Sequence, residues 1–440
     1  MSVKSENLLF ANLCATCVIL ALLATALNTA LPAIGLGLGV DDATVQWLVS
    51  GYALALAVFM PATGYLATRF PSRPLYLAAV ALFCLCCAAC ALSSNFPLIM
   101  LARIGQAATN ALVSNLTQVS IMRMFPKEQR GVRMGWFGLS VGFAPVVAPA
   151  LGGLIVDTLG WRALFALVGC AALLCLLAAF LLMKNTFALN PKKMDVPSFG
   201  LSIFVFGGLA IGLGQLPSKG LLDPASIIAI LLGLAASFAF VPRQLRAQDP
   251  FLNLRLLKRE SFARAVLGSS ALYALMMGGA AVLPLYLQGD LGCSASVAGL
   301  AVLPAALLMA LVSPVAGKIF DVCGMPLVAF ASMLLLLVGN LLMCVPGLNE
   351  SVFWAAFCAS LRYAGIGFAQ MPLVTWGNNS VCDKDMPQAT AMLTTSRNVF
   401  VALGVAVFVG VLNSAGLEFA FASMAALSSV LLVACKKENS

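Results

Sequence analysis

The sequence predicts an all-α integral membrane protein of fourteen transmembrane helices, arranged as two pseudo-symmetric six-helix halves with two linker helices. Three observations carry this expectation. First, 62% of the 440 residues are hydrophobic and 9% are charged, with a mean hydropathy of +1.01. A soluble domain carries about 25% charged residues, and no soluble core of this length could hide so much apolar surface. Second, apolar runs of spanning length follow one another along the whole chain. Third, landmarks of the first part of the chain recur in the last part.

A span needs about 20 apolar residues. Such runs lie at 8–34, 44–68, 74–92, 96–123, 132–158, 161–183, 197–216, 223–241, 262–288, 294–318, 326–346, 352–376, 388–413 and 415–435. The first, from Leu8 to Ile34, lacks a small-residue cleavage site and is expected to stay as a span. An even number of spans puts both termini on one side. With the N-terminus inside, the cytoplasmic segments hold 20 of the 25 Lys and Arg residues, and the outer loops hold two, Arg162 and Lys219. The other three, Arg103, Arg362 and Arg397, fall within spans. This asymmetry predicts that both termini are cytoplasmic. It also accounts for the net charge of +9 without any nucleic-acid partner. The basic segment 242–264, with Arg243, Arg246, Arg255, Lys258, Arg259 and Arg264, reads as a cytoplasmic linker beside anionic lipid. Topology determination alone explains the same charges.

The repeat is visible in single residues. Pro32, Pro61 and Gly64 have counterparts in Pro284, Pro314 and Gly317, offset by 252 or 253, and Arg103 has one in Arg362, offset by 259. The loop GYLATRFPSR (64–73) matches GKIFDVCGMP (317–326) in place. The first six spans therefore pair with the last six, which divides the chain into 1–186, a linker region 187–260 with two helices, and 261–440. Two related six-helix halves are a transporter architecture.

The fifth span is the most unusual. Gly138, Gly142, Pro145, Pro149 and Gly152 recur at steps of four and three, which puts all five on one face of a helix. Small residues there permit close helix contact, and the prolines bend the helix. On the fourth span, Arg103, Gln106, Asn110, Ser114, Thr117 and Gln118 form a polar stripe. Polar residues in lipid face a partner helix or a water-filled cavity. Thr25 and Asn28 on the first span are candidate acceptors for Arg103. Arg362, Tyr363, Gln370, Thr394, Arg397 and Asn398 offer a comparable set in the second half, with Tyr273, Met276 and Met277 as an adaptable wall.

Several of these stretches resemble motifs of the major facilitator superfamily, and of its fourteen-helix drug:proton antiporter branch in particular. LLATALNTALP matches the first-helix pattern at Thr25, Asn28 and Pro32, but Leu23 stands where a carboxylate is usual. In the loop after the second span, Gly64, Arg69 and Arg73 match, whereas Thr68 and Pro71 replace an Asp and a Gly. LARIGQAATNA matches at Arg103, and the fifth span matches the antiporter motif at Gly138, Gly142, Pro145, Pro149, Gly152 and Gly153. GWRALF (160–165) and PFLNLRLL (250–257) resemble the start of the sixth helix and the branch's linker. The resemblance implies a plasma (inner) membrane secondary transporter that exports small amphipathic compounds by alternating access, as a monomer and without cofactors. It also implies that Arg103 contacts the first helix and takes part in coupling. A facilitator or importer of a metabolite is the alternative, and a non-transporting sensor a remote one. In the second half the 317–324 loop keeps Asp321, so a gate ion pair or helix cap survives there beside Gly317.

Enzymatic chemistry is excluded by the residues. The chain has no His, and its 16 acidic residues fall in loops or at the ends of expected spans, so general acid–base catalysis lacks its groups. No paired metal-ligand spacing recurs, and the 14 cysteines lie mostly in apolar runs, where a thiol behaves as a small hydrophobe. The same absence bears on coupling. Arginine cannot carry a proton at physiological pH, so three intramembrane arginines without acidic partners predict a positive interior that favours anionic substrates. They also predict either no obligatory proton exchange or a proton that travels on the substrate. The deepest acids are Asp157 at the outer end of the fifth span and Asp321 at the inner end of the tenth, and a mouth carboxylate such as Asp157 is the alternative carrier.

Overall fold

In lipid each apolar run must satisfy its backbone within itself, and the helix does so. The computed structural model describes residues 3–185, 195–219, 223–345 and 351–429, which are helices joined by short connections. In chain order the helices are α1 (Val3–Leu38), α2 (Asp42–Val45), α3 (Trp47–Arg69), α4 (Ser72–Leu92), α5 (Phe96–Met124), α6 (Lys127–Leu159), α7 (Trp161–Leu182) and α8 (Val196–Ser202). A π-helical turn, Ile203–Gly207, leads from α8 into α9 (Gly208–Lys219). There follow α10 (Pro224–Arg246), α11 (Glu260–Gly289), α12 (Ala295–Cys323), α13 (Met325–Leu342), α14 (Val352–Asn379), α15 (Met386–Ala415) and α16 (Leu417–Ser428).

Among the described residues twelve helices are long and apolar enough to cross a membrane, and a thirteenth span forms if the bent α6 is counted as one. The expected number was fourteen. The fourteenth, expected at 415–435, is described as the shorter apolar helix α16, and residues 430–435 lie outside the described residues. The boundary expected at 186/187 likewise touches residues outside them.

The chain forms two compact units, one of residues 1–124 with 140–194, the other of 125–139 with 195–440. In the first unit α3 packs on α5, α4 on α5 and α7, and α1 on α5 and α7. In the second unit α12 packs on α14, α13 on α14 and α16, and α11 on α14 and α16. The same neighbour relations thus occur twice. The joints repeat as well. One glycine links α6 to α7 (Gly160, φ 82°) and one links α15 to α16 (Gly416, φ 90°). Both combine positive φ with an extended ψ, a region that only glycine enters without strain.

Within the second unit α9 packs on α10 and on α15. Asp195 ties the start of α8 to the end of α10. Its carboxylate accepts from the Ser198 backbone N–H and forms a salt bridge of 2.7 Å with Arg243. The Arg243 hydrogen bond holds the Asp195 carboxyl below the usual carboxylate range. Gln244, fully buried, donates to Ser198 and accepts from the Leu252 N–H, and Gln388 accepts from the Asn253 N–H. The basic segment is therefore committed largely to the fold. Arg255 donates to the carbonyls of Leu245 and Ala247, Arg259 to that of Ser380, and Arg264 pairs with Glu260.

Candidate functional site: buried arginines and a backbone latch

Arg103 is 0% exposed on α5. Its Nε donates to the Leu48 carbonyl at 3.1 Å and its Nη1 to Gln106 Oε1 at 2.7 Å, and the guanidinium lies 4.2 Å from the centroid of the Tyr52 ring. Both outside partners, Leu48 and Tyr52, belong to α3. The expectation that Thr25 and Asn28 would receive Arg103 is not met. Thr25 Oγ1 donates to the Ala21 carbonyl of its own helix, and Asn28 is exposed. The reason is local. Tyr52 offers a π face that a buried cation needs, whereas a threonine in a helix readily bonds back to its own i−4 carbonyl. Tyr52 also accepts from Asn110 Nδ2 at 2.6 Å, and Ser114 donates to Asn110. The stripe on α5 is thus one connected network. Leu23, in the carboxylate position of the resemblance, is buried.

Arg362 on α14 is 1% exposed and sealed by packing. Its Nη2 reaches the Leu275 carbonyl and Met424 Sδ, and its guanidinium lies over Phe421 at 4.9 Å. Gly279 of α11 faces the guanidinium so closely that an added Cβ would collide with it. Here the arginine does reach the helix that corresponds to the first span, through the Leu275 carbonyl of α11.

Arg397 on α15 is 4% exposed. Nε donates to Ser269 Oγ, the guanidinium lies 4.5 Å over the Tyr273 ring, and Tyr273 Oη accepts from Gln370 Nε2 at 2.6 Å. Tyr273 and Gln370 are half-buried. α11, α14 and α15 therefore bring Tyr273, Gln370 and Arg397 together. None of the three arginines makes a salt bridge among the described residues.

The α6 stripe is less uniform than its spacing suggests. Gly138 faces Met371 and Ser313, and Gly152 faces Ala26 and Thr29. Gly142 is half-buried, Pro145 and Pro149 are exposed, and nothing lies within 4 Å of a Cβ placed on Gly153. α6 bends by 41° after Pro145, where the proline ring displaces the preceding turn.

The motif loops make two different contacts. In the first unit Gly64 is buried, Arg69 donates to Tyr65 Oη, and Arg73 donates to the Phe180 carbonyl at 2.8 Å while stacking on that ring. Thr68 Oγ1 donates to the Tyr65 carbonyl at 2.8 Å. In the second unit Asp321 accepts from the backbone N–H groups of Gly131 and Val132, both at 2.8 Å. A carboxylate there faces the positive end of α6. Among the described residues Asp321 makes no salt bridge, and it meets the backbone of the second turn of α6 in place of either expected form. Gly317 lies backbone to backbone against Gly131, with no room for a Cβ on either. Arg130 completes the latch through Asn379 Oδ1 at 2.8 Å.

Sequence reasoning passed over Tyr52, Arg130, Gly131, Ser269, Gly279 and Asn379. Tyr52 carried a usable signal, since the chain has 6 tyrosines and a tyrosine inside a span needs a polar partner. Gly131 had none, because its partner is distant in sequence.

Comparison with known proteins agrees with this architecture. The chain is 34% identical over 390 residues to the uncharacterized MFS-type transporter YcnB of Bacillus subtilis (strain 168), covering 89% of this chain and 83% of that protein. It is 31% identical over 390 residues to the lincomycin resistance protein LmrB of Listeria monocytogenes, with the same coverage of 89% and 83%. Among solved structures, the human organic anion transporter MFSD10 superposes with a TM-score of 0.73 at 15% identity, over 98% of this chain and 99% of that one. Residues 13–404 match the Major Facilitator Superfamily, and the chain belongs to that family of secondary membrane transporters.

Proposed function

We propose that this chain exports small amphipathic compounds across the plasma membrane by alternating access, as a monomer with fourteen spans and both termini in the cytoplasm. The observation that carries the reading is likeness over nearly the whole chain to proteins named for drug resistance: LmrB, and the probable multidrug resistance protein EmrY of Escherichia coli at 27% identity over 86% of this chain. The polar networks on α5, α11, α14 and α15 support it, because each offers hydrogen-bonding groups inside an apolar helical unit. The test is a panel of toxic compounds applied to drug-sensitive cells with and without the protein. Lower accumulation and higher tolerance of at least one compound are expected, and no difference across a broad panel would sink the export reading.

The topology has its own check. Reporter fusions after Lys258 should read cytoplasmic and those at Lys219 external. A cytoplasmic signal at Lys219 would remove the two linker helices as spans.

Coupling follows from charge. Among the described residues the acidic groups lie in connections or in the end turns of helices, with Asp157 exposed and Asp321 engaged by the Gly131 and Val132 N–H groups. A proton carrier must be buried and alternately accessible, and no carboxylate here is placed so. In proteoliposomes an imposed pH gradient should therefore fail to drive a permanently cationic substrate uphill. Uphill transport that persists in Asp157→Asn would contradict this.

A further inference from the structure

We propose that the second unit holds a recognition site for the carboxylate or sulfonate of an amphipathic organic anion, built on Arg397 with Tyr273, Gln370 and Asn398. The proposal rests on the transport reading for its purpose alone, since binding is measured without transport.

All three intramembrane arginines hold at least one buried donor without an acceptor, and what separates them is their surroundings. Arg103 has two hydrogen bonds and a ring within its own network and is 0% exposed. Arg362 is 1% exposed and closed in by Gly279, Phe421 and Met424. Arg397 differs in its surroundings. It keeps 4% exposure, and Tyr273, Gln370, Thr394 and Asn398 around it in space or sequence are half-buried rather than sealed. Its Nη2 makes no hydrogen bond, and neither does Nδ2 of the adjacent Asn398. Two buried donors from consecutive residues lack acceptors. A buried donor left unmade is costly, and a positive charge without a counter-ion more so. An oxyanion relieves both at once, with the guanidinium as a planar fork suited to a carboxylate.

The neighbouring groups indicate the rest of the ligand. Ser269 fixes Nε, and the Tyr273 ring holds the guanidinium plane. Gln370 fixes the Tyr273 hydroxyl in turn. The arginine is thereby preorganised. The site thus suits one negative group on an aromatic or aliphatic body.

The test uses purified full-length protein in lipid nanodiscs and a matched pair of probes, 2-naphthoate and its neutral amide, 2-naphthamide. The site predicts at least tenfold tighter binding of the naphthoate. Arg397→Met should abolish that preference and leave amide binding unchanged, and Arg397→Lys should keep part of it. Asn398→Leu should weaken naphthoate binding about threefold, and it serves as the second variant if Arg397→Met fails to fold. Equal affinity for the two probes in the wild type would overturn the proposal. So would an unchanged preference in Arg397→Met or, where that variant does not fold, in Asn398→Leu. A protein that binds the naphthoate through Arg397 but confers no drug tolerance would overturn the export reading and leave this site standing.

Discussion

Gly317→Val is expected to reduce transport at least tenfold while the protein still reaches the membrane. A Cβ at Gly317 would strike the Gly131 carbonyl, and one at Gly131 would strike the Asp321 carboxylate and the Gly317 carbonyl. Backbone cannot move aside as a side chain can, so α12 and the start of α6 must separate. Overpacking of this kind costs about 1–3 kcal/mol. Separation also pulls Asp321 from the N–H groups of Gly131 and Val132, which it now meets at 2.8 Å. Asp321→Asn should have a smaller effect, because it keeps an acceptor and loses the charge–dipole part, about 0.3–1 kcal/mol. Transport assays at matched membrane abundance, with melting curves in detergent, check the order Gly317→Val over Asp321→Asn. Wild-type transport by Gly317→Val would show that this contact plays no part in the cycle.

Arg103→Ala is expected to abolish transport at normal membrane abundance. The side chain holds α5 to α3 through the Leu48 carbonyl and the Tyr52 ring. A desolvated cation–π contact contributes about 2 kcal/mol and a charged hydrogen bond about 1.5–3 kcal/mol, offset by the cost of burying the charge. The net effect on stability is therefore modest, and the cavity left by alanine adds about 2–4 kcal/mol. Arg103→Met separates the two contributions, since it fills the space without the charge. If Arg103→Met is stable and inactive, the guanidinium acts in transport. If alanine removes the protein from the membrane while methionine transports normally, Arg103 serves as a brace.

Much of the fold was legible because lipid leaves the chain few options. Apolar runs long enough to span and unable to satisfy their backbone otherwise become helices, so the first thirteen expected spans coincide closely with the apolar helices of the described residues, the bent α6 counted as one. The repeat of Pro61–Gly64 as Pro314–Gly317 anticipated helices that occupy equivalent places, α3 on α5 and α12 on α14. The polar stripe on α5 was also readable, since Arg103, Gln106 and Asn110 share a face at helical spacing. The fourteenth span was less secure, because the last apolar run ends among residues outside the described ones.

The partners of the buried groups were not legible. Periodicity says which face of a helix a residue occupies but not which neighbour meets that face. Thr25 and Asn28 were as plausible for Arg103 as Tyr52, and packing chose Tyr52 because only that helix brings a ring over the guanidinium. In the same way nothing local in KEQRGVRM distinguishes Gly131 from any other small residue until Gly317 is set against it. The sequence by itself determined the solvent, most of the helices, the repeat and which arginines lie within spans, because hydropathy and residue chemistry are local properties. The tertiary structure alone decided that Arg103 meets Tyr52, that Arg362 is closed in by Gly279 and Phe421, and that Arg397 sits among half-buried polar neighbours, because satisfying a buried charge depends on which distant residues are brought within about 3 Å of it.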